Sequence, residues 1–124
     1  MEFLKCNKCG NMAIKITEGG CDLHCCGEPM EKLIPNTSDG AGEKHVPVIK
    51  VEGSKVTVTV GEVTHPMLAE HYINWVMLET KKGRQRVELK PGEAPEAVFA
   101  LAEGDEAVAA YEYCNLHGLW KAEA

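Results

Sequence analysis

The position of the cysteines constrains the fold of this 124-residue chain more than any other feature, because five of the six lie within the first 26 residues. A stretch as short as residues 1–34 cannot bury enough apolar surface to fold by itself, since small chains leave most of their surface exposed. A bound metal supplies the missing free energy of folding in many small units. We therefore predict a compact metal-binding unit at the start of the chain.

The spacing of the cysteines supports a single metal site. Cys6 and Cys9 form a C-x-x-C motif followed by Gly10, so that two thiolates of one tight turn can face a common ion. Cys25 and Cys26 are adjacent, and neighbouring side chains of an extended strand point to opposite faces, so both reach one ion only if the backbone is distorted. Four thiolates in a tetrahedron suit zinc or iron, and this pattern does not decide between them. A redox dithiol and a vicinal disulfide remain as alternatives.

Cys21 and His24 lie in the same cysteine-rich segment but are not expected to bind the metal. Unliganded cysteine and histidine side chains are common in loops of this kind. We interpret Cys21 as a free thiol and His24 as a surface imidazole.

The overall charge excludes one class of partner. The formal net charge is −6 and the isoelectric point is about 5.3, whereas binding to a nucleic-acid backbone requires clustered Lys and Arg. The chain has no apolar run long enough to span a membrane, and its first residues lack the apolar core and cleavage site of a signal peptide. We expect a cytoplasmic protein without nucleic-acid or membrane partners. Six cysteines in that reducing compartment favour metal binding over a disulfide framework.

Beyond the cysteine-rich segment the pattern is typical of β-strands. Residues 35–44 are polar and predict a linker. Val56, Val58 and Val60 alternate with threonines, which predicts a strand with one buried face. The two Ala-rich segments near the end are also compatible with helix, but their length and flanking turns favour strands. Several short strands at regular spacing predict an antiparallel β-sandwich, with strands at 46–51, 55–60, 72–80, 85–90, 97–102 and 107–113.

A second candidate metal site comes from histidines of this later part. His45 and His65 each lie beside a proline-containing turn near a strand end, and His71 lies in a segment expected to loop over one end of the sandwich. Cys114 precedes His117 by three residues. Imidazole and thiolate together suit iron, copper or zinc. Five protein ligands would leave an octahedral metal one open position, which indicates chemistry on a small molecule.

Six motifs, in order and spread over nearly the whole chain, resemble the desulfoferrodoxins, the two-iron class of superoxide reductase: "CNKCG", "CCGEPM", "DGAGEKHVPVI", "THPMLAEHYINWV", "LKPGEAPEAVF" and "EYCNLHGLWKAE". The resemblance implies a rubredoxin- or desulforedoxin-like domain at residues 1–36 with one iron. It implies an immunoglobulin-like antiparallel β-sandwich at residues 37–124 with a second iron. The fold class would then be all-β.

The same resemblance implies a role for each donor. The first iron would be held by four cysteines, namely Cys6, Cys9, Cys25 and Cys26. The second, catalytic iron would be held by four imidazoles in a plane and one axial thiolate, namely His45, His65, His71, His117 and Cys114.

Two further residues gain a role from the resemblance. Glu43 would occupy the open position of the oxidised resting centre and leave on reduction. Lys44 would guide the superoxide anion to the site, because a local cation can focus an anion even on a negatively charged protein.

The activity implied is the one-electron reduction of superoxide to hydrogen peroxide without release of oxygen. The resemblance also implies a rubredoxin-type electron donor and a homodimer. The cysteine-ligated iron could transfer electrons or could be structural, and the sequence leaves both interpretations open.

Two other classes of protein share part of this pattern. A blue-copper electron carrier also combines a sandwich with a Cys and a His near the end, but it needs two histidines and usually a following Met, and no Met follows Cys114. A zinc-ribbon-like binding module would use the C-x-x-C motif, but adjacent Cys25 and Cys26 do not form the usual second C-x-x-C. Metal analysis separates the three interpretations, since they predict two irons, one copper or one zinc.

Overall fold

The computed structural model describes all residues from Met1 to Ala124 and divides them into two compact units, Met1–Ile34 and Pro35–Ala124. None of its helices has the length and apolar character needed to cross a membrane.

The first unit consists of very short strands. A three-stranded antiparallel sheet has the order β2-β1-β5, and β3 pairs with β4. The bounds are β1 Phe3–Lys5, β2 Met12–Ile14, β3 His24–Cys25, β4 Glu28–Pro29 and β5 Glu31–Lys32. Only three of its side chains are buried, those of Phe3, Leu4 and Cys6. So little buried apolar surface agrees with the expectation that a metal stabilises this unit.

The second unit is a sandwich of two antiparallel sheets. One sheet has the order β10-β7-β6 and the other has the order β12-β11-β8-β9. The bounds are α1 Gly42–His45, β6 Pro47–Glu52, β7 Lys55–Val60, β8 Ile73–Thr80, β9 Arg84–Glu88, β10 Glu96–Ala100, β11 Ala107–Cys114 and β12 Gly118–Glu123. The predicted fold class, a nearly all-β chain with a small four-cysteine unit and a β-sandwich, is confirmed.

Alternating residues of facing strands form the core between the two sheets. Val56, Val58 and Val60 of β7 are each at most 1% exposed, as their alternation with threonine predicts. Ile73 of β8 and Cys114 of β11 belong to the same buried cluster. Each fully buried aliphatic side chain of this kind contributes about 1.5–3 kcal/mol to the free energy of unfolding. Cys114 is therefore anchored in the part of the unit that resists distortion most.

The segment 35–44 differs from the linker that its composition predicts. The Asn36 amide nitrogen donates to Leu119 O at 3.0 Å, and the Asn36 side chain exchanges two hydrogen bonds with the backbone of Lys121. The Ser38 hydroxyl donates to the carbonyl of His117. Polar side chains here replace the backbone hydrogen bonds of a strand, which composition alone does not reveal. The segment is thus part of the second unit and runs along β12.

Two elements of the second unit were not predicted. The single helical turn α1 carries Glu43, Lys44 and His45, and it is too short for any periodic pattern to reveal. Strand β12 returns from β11 through a turn that ends at Gly118, whose φ of 80° favours glycine. This hairpin places Cys114 and the turn residue His117 at the same end of the sheet.

Candidate metal centres

The first cluster of donors begins with a tight turn. The Cys6 amide donates to Asn11 O at 2.8 Å, and the Gly10 amide donates to Cys6 O at 3.0 Å, which closes the loop around Cys9. Gly10 has a φ of 83°, a left-handed conformation that glycine adopts without a steric penalty. The turn brings the two sulfurs of the C-x-x-C motif to one side, as its spacing predicts.

The adjacent cysteines meet these sulfurs because the backbone bends between them. Cys25 ends β3, and Cys26 has a φ of 52°, a conformation that non-glycine residues rarely adopt. The Cys9 and Cys25 sulfurs are 3.5 Å apart, and those of Cys25 and Cys26 are 4.0 Å apart. The predicted backbone distortion is confirmed. All four sulfurs of this four-cysteine cluster, including that of Cys6, lie within 4.8 Å of one another.

The electrostatics of this cluster require a cation. Hydrogen bonds from the Cys9 and Lys8 backbone lower the pKa of the Cys6 thiol to about 6. Contact with the Cys9, Cys6 and Cys25 thiols raises the pKa of Cys26 to about 12. Four neighbouring thiols therefore do not all ionise by themselves, and a bound cation is what stabilises four thiolates at this distance.

Neither Cys21 nor His24 is part of a donor cluster, and both side chains are exposed. The Nδ1 of His24 lies 3.2 Å from the Asp22 carbonyl oxygen. Their interpretation as non-ligands agrees with this placement.

The second cluster gathers donors from five separate places in the sandwich. His45 ends α1, His65 follows β7, and His71 forms an isolated β-bridge with Leu68. Cys114 ends β11 and His117 lies in the turn before β12. In this His4Cys cluster, one nitrogen of each of the four rings and the sulfur lie within 4.8 Å of one another. The structure thus brings together every donor that was expected at this site.

The four imidazoles stand at the corners of a square. Neighbouring ring centroids are 4.6–5.0 Å apart around the sequence His45, His65, His71 and His117, and each pair is steeply inclined, at 72–81°. The diagonal from His45 to His71 is 6.5 Å, longer than the sides as a square requires. The four imidazoles that the resemblance implies are thus neighbours around one centre.

Hydrogen bonds determine which nitrogens face inwards. The Nδ1 of His45 is 2.8 Å from Ala41 O, and that of His65 is 2.6 Å from Pro66 O. A carbonyl oxygen only accepts, so each Nδ1 carries the proton and each Nε2 presents a lone pair. The two Nε2 atoms nevertheless face each other at 3.2 Å, which places two acceptors in contact. A cation between them relieves this repulsion.

Two more observations support a metal at this position. The Nε2 of His71 is buried and has no hydrogen-bond partner, and an unsatisfied buried nitrogen is costly unless a ligand takes its lone pair. The Cys114 sulfur lies 3.4 Å from Nε2 of His65 and 3.9 Å from Nδ1 of His117. His117 therefore presents its Nδ1 to the cluster, whereas His45 and His65 present their Nε2 atoms. A set of four imidazoles and a thiolate fits iron, and also fits copper or zinc.

Burial prepares these donors for a metal. It lowers the pKa of His65 to about 4 and also lowers the pKa of His45 and His71, so these rings are neutral at neutral pH with lone pairs available. Burial raises the pKa of the Cys114 thiol, while backbone N–H groups of Leu116 and His117 act in the opposite direction. A bound cation is what completes the ionisation of Cys114.

The comparison with known proteins identifies the family. The family model described as desulfoferrodoxin matches residues 37–123, and the model for the desulfoferrodoxin N-terminal domain matches residues 1–33. The chain belongs to the desulfoferrodoxin family. The resemblance found in the sequence is therefore confirmed, and the four-cysteine and His4Cys clusters are consistent with the two iron sites of a desulfoferrodoxin.

Individual relatives cover the whole chain. A desulfoferrodoxin of Nitratidesulfovibrio vulgaris is 51% identical over 123 residues, which are 99% of this chain and 96% of that protein. The crystal structure of the superoxide reductase from Treponema pallidum has a TM-score of 0.83 and 41% identity, and the match covers 99% of this chain and 100% of that one. A one-iron superoxide reductase from Giardia intestinalis matches 66% of this chain and 97% of its own, with 33% identity and a TM-score of 0.58. The first two matches thus cover almost all of this chain, whereas the third covers about two thirds of it.

Family membership also decides between the alternatives. The second cluster contains four imidazoles, whereas a blue-copper centre needs two. The first cluster uses an adjacent pair of cysteines and is followed by a sandwich with donors of its own. Neither the copper carrier nor the zinc-ribbon module accounts for both clusters.

Glu43 and Lys44 lie on α1, directly before His45, and both side chains are exposed. The Val63 amide donates to Glu43 O at 2.8 Å and thereby ties the turn to the segment after β7. A Cβ atom on Gly61 would lie 2.7 Å from that same carbonyl oxygen. The absence of a side chain at Gly61 allows the close approach that positions α1. The catalytic roles expected of Glu43 and Lys44 remain predictions.

One buried acid near the site was not singled out from the sequence. Glu112 of β11 is fully buried, and neither of its carboxylate oxygens has a hydrogen-bond partner. Burial raises its pKa to about 9, so the group is protonated at neutral pH. The available signal was its spacing of two residues from both Ala110 and Cys114 on one strand, which places the three side chains on the same face.

Proposed function

We propose that this desulfoferrodoxin-family chain is a superoxide reductase. It reduces superoxide with one electron and two protons to hydrogen peroxide and releases no oxygen. The observation that carries the proposal is the His4Cys cluster, in which four imidazoles and one thiol converge within 4.8 Å. The relative from Treponema pallidum, which matches along the full chain, is a superoxide reductase.

The four imidazoles and the Cys114 thiolate would hold the iron, which would supply the single electron that the reaction consumes. The protein orients these donors before the metal binds, since His45 and His65 are fixed by hydrogen bonds to backbone carbonyls. His45, His65 and Cys114 are buried, whereas His71 and His117 are partly exposed. The site thus lies at the boundary between the core and solvent, where a small anion can enter.

Lys44 is the residue we assign to attract superoxide. The protein has a net charge of −6, which repels an anion at long range. The exposed ammonium group of Lys44 is on the residue next to His45, so its field acts where the substrate must arrive. Glu43, on the same turn, is the carboxylate that we propose would bind the iron of the oxidised centre.

The remaining assignments concern the assembly. We propose a homodimer, a rubredoxin-type electron donor and a cytoplasmic location. The first unit exposes large apolar side chains, with Ile16 at 92% and Ile34 at 55% exposure, which supports association of two copies.

Stoichiometry tests the proposed reaction. The iron-loaded protein, kept reduced by a chemical donor, is exposed to a known amount of superoxide while peroxide and oxygen are measured. We expect one peroxide for each superoxide and no oxygen, together with two irons per chain by elemental analysis. Dismutation, with one peroxide and one oxygen from two superoxides, would contradict the proposal.

Light scattering tests the assembly. We expect the mass of two chains for the wild-type protein and a shift towards one chain for Ile16→Glu. The exposed, polar change Thr37→Glu, outside the first unit, serves as a control for added charge. A single-chain mass for the wild-type protein would overturn the homodimer.

A further inference from the structure

One aromatic side chain contacts two of the four imidazole-bearing residues. Trp120 is only 5% exposed, and its ring stacks on that of His45 with centroids 4.9 Å apart and planes inclined by 24°. The Trp120 indole N–H also donates to the carbonyl oxygen of His117 at 3.0 Å. His45 and His117 are neighbours in the square of rings, 4.8 Å apart. Trp120 therefore links two donors that are far apart in sequence.

The backbone at Gly40 closes over this contact. A Cβ atom at that position would lie 3.2 Å from Cε1 of His45, 3.2 Å from Cζ2 of Trp120 and 3.3 Å from Cβ of His117. These distances are shorter than ordinary van der Waals contacts, so a side chain at Gly40 would push the three residues apart. Trp120 and Gly40 therefore both lie against His45 and His117.

The two histidines that Trp120 contacts differ in how their rings are otherwise held. The Nδ1 of His45 is fixed by the Ala41 carbonyl, but its ring can still tilt about that hydrogen bond. His117 presents its Nδ1 towards the Cys114 sulfur at 3.9 Å, a distance at which the sulfur holds the ring only weakly. The flat, rigid indole restricts the tilt of the His45 ring. Its hydrogen bond to the His117 carbonyl oxygen, which also accepts from the Ser38 hydroxyl, fixes the backbone from which the His117 ring projects.

We propose that Trp120 is a positioning residue of the His4Cys centre, which fixes the orientation of His45 and the placement of His117 relative to each other. The inference rests on the proposed function in so far as these side chains are taken as iron ligands. It assigns to Trp120 no contact with substrate. Its effect is on how tightly iron is held and on the electronic structure of the centre, since partners that orient ligands control both.

Two substitutions of Trp120 separate its two contacts. Trp120→Leu removes the stacking and the indole N–H, whereas Trp120→Phe retains a ring and removes only the N–H. We expect iron to leave the His4Cys site of the Leu variant about tenfold faster in the presence of a chelator, with a shifted sulfur-to-iron absorption band. The Phe variant should recover most of the wild-type rate and band position.

Two references control for general destabilisation. Trp75 stacks on Tyr113 with centroids 6.1 Å apart and does not belong to the donor cluster, so Trp75→Leu should leave the band in place. The four-cysteine iron of the same molecule provides a second reference, because its absorption should not change. A Trp120→Leu protein with the wild-type band position and iron release would overturn the proposal.

A pair of glycine substitutions tests the same contact without replacing Trp120. Gly40→Ala should shift the band and speed up iron release, because its methyl group presses on both His45 and Trp120. Gly42→Ala adds a methyl group two residues away where no atom lies within 4 Å, and it should behave as wild type. Equal behaviour of the two variants would contradict the proposal, even if Trp120→Leu failed to fold.

Failure of the positioning role is distinguishable from failure of the proposed function. A wild-type protein that binds iron without any sulfur-to-iron band would contradict the His4Cys assignment itself. A wild-type band that stays unchanged in the Trp120 and Gly40 variants would contradict only the role of Trp120.

Discussion

The two donor clusters are built in opposite ways. The first unit has strands of two or three residues and only three buried side chains, one of which is the donor Cys6. Two of its other donor cysteines, Cys9 and Cys26, are exposed. In the second unit, strands of up to eight residues enclose a core that includes Cys114 itself. This difference indicates that a metal stabilises the fold of the first unit, whereas in the second unit the fold itself positions the metal ligands.

The local backbone reflects the same contrast. The four-cysteine cluster depends on left-handed residues, Gly10 with a φ of 83° and Cys26 with a φ of 52°. Such conformations are unfavourable for Cys26 and persist only when something else stabilises them. At the His4Cys cluster, hydrogen bonds and ring stacking orient His45 and His65 without any metal. The second site is therefore expected to survive metal removal better than the first.

Removal of both metals is the most severe test of this comparison. We expect a strong chelator to unfold residues 1–34, since a structural metal contributes roughly 10 kcal/mol or more to such units, and to leave the sandwich folded. Amide hydrogen exchange measures both units in one sample. Protection should disappear at Phe3 and Leu4 and remain at Val58 and Ile73. Protection that persists at Phe3 in the metal-free protein would break the proposed contrast.

Cys114→Ser tests whether the two centres are spectroscopically independent. We expect the sulfur-to-iron charge-transfer band of the oxidised His4Cys site to disappear, because a hydroxyl is a far weaker iron ligand than a thiolate. The absorption of the four-cysteine iron should be retained. Cys21→Ser, which changes a sulfur outside both clusters, should leave both spectra unchanged. A retained charge-transfer band would show that Cys114 is not a ligand.

Lys44→Ala tests substrate access, a property that the His4Cys centre requires and the four-cysteine centre does not. Loss of the cation should slow the reaction with superoxide about tenfold and flatten its dependence on ionic strength. Pulse radiolysis measures the second-order rate. Lys55→Ala, on the exposed first residue of β7, makes the same change in net charge and should have little effect. Equal rates for Lys44→Ala and wild type would remove Lys44 from the mechanism.

Glu112→Gln probes the larger buried interior of the second unit. Because burial raises the Glu112 pKa to about 9, the folded metal-free protein keeps this proton while the unfolded chain loses it near pH 4.5. The folded state then binds more protons between these values, so the free energy of unfolding falls as pH rises from about 4.5 to about 9. Glu112→Gln should reduce that slope and stabilise the protein by about 1–3 kcal/mol above neutral pH.

Denaturant unfolding of the metal-free protein at several pH values measures this effect. Glu88→Gln, an exposed change on β9, is the matched control and should retain the wild-type slope. Identical pH profiles for Glu112→Gln and wild type would show that the carboxyl group is not held protonated by burial.

Much of the fold could be predicted because it follows from local patterns of residue type and spacing in the sequence. The alternation of Val56, Val58 and Val60 predicted both the strand and its buried face, and the C-x-x-C spacing with Gly10 predicted the turn. The adjacent pair of cysteines even predicted a backbone distortion. The segment 35–44 was the main exception, because the hydrogen bonds between Asn36 and Lys121 join positions that no local pattern connects.

Residue type alone fixes which atoms are available as donors. The chain offers five imidazoles and six thiols, with spacings that group the cysteines. The folded arrangement alone establishes which nitrogens face inwards, which rings are neighbours, and that Trp120 stacks on His45. The reason is physical. A side chain's identity is local, but its orientation is the result of contacts between α1, the turn after β7 and the β11–β12 hairpin, which meet only when the sandwich has formed.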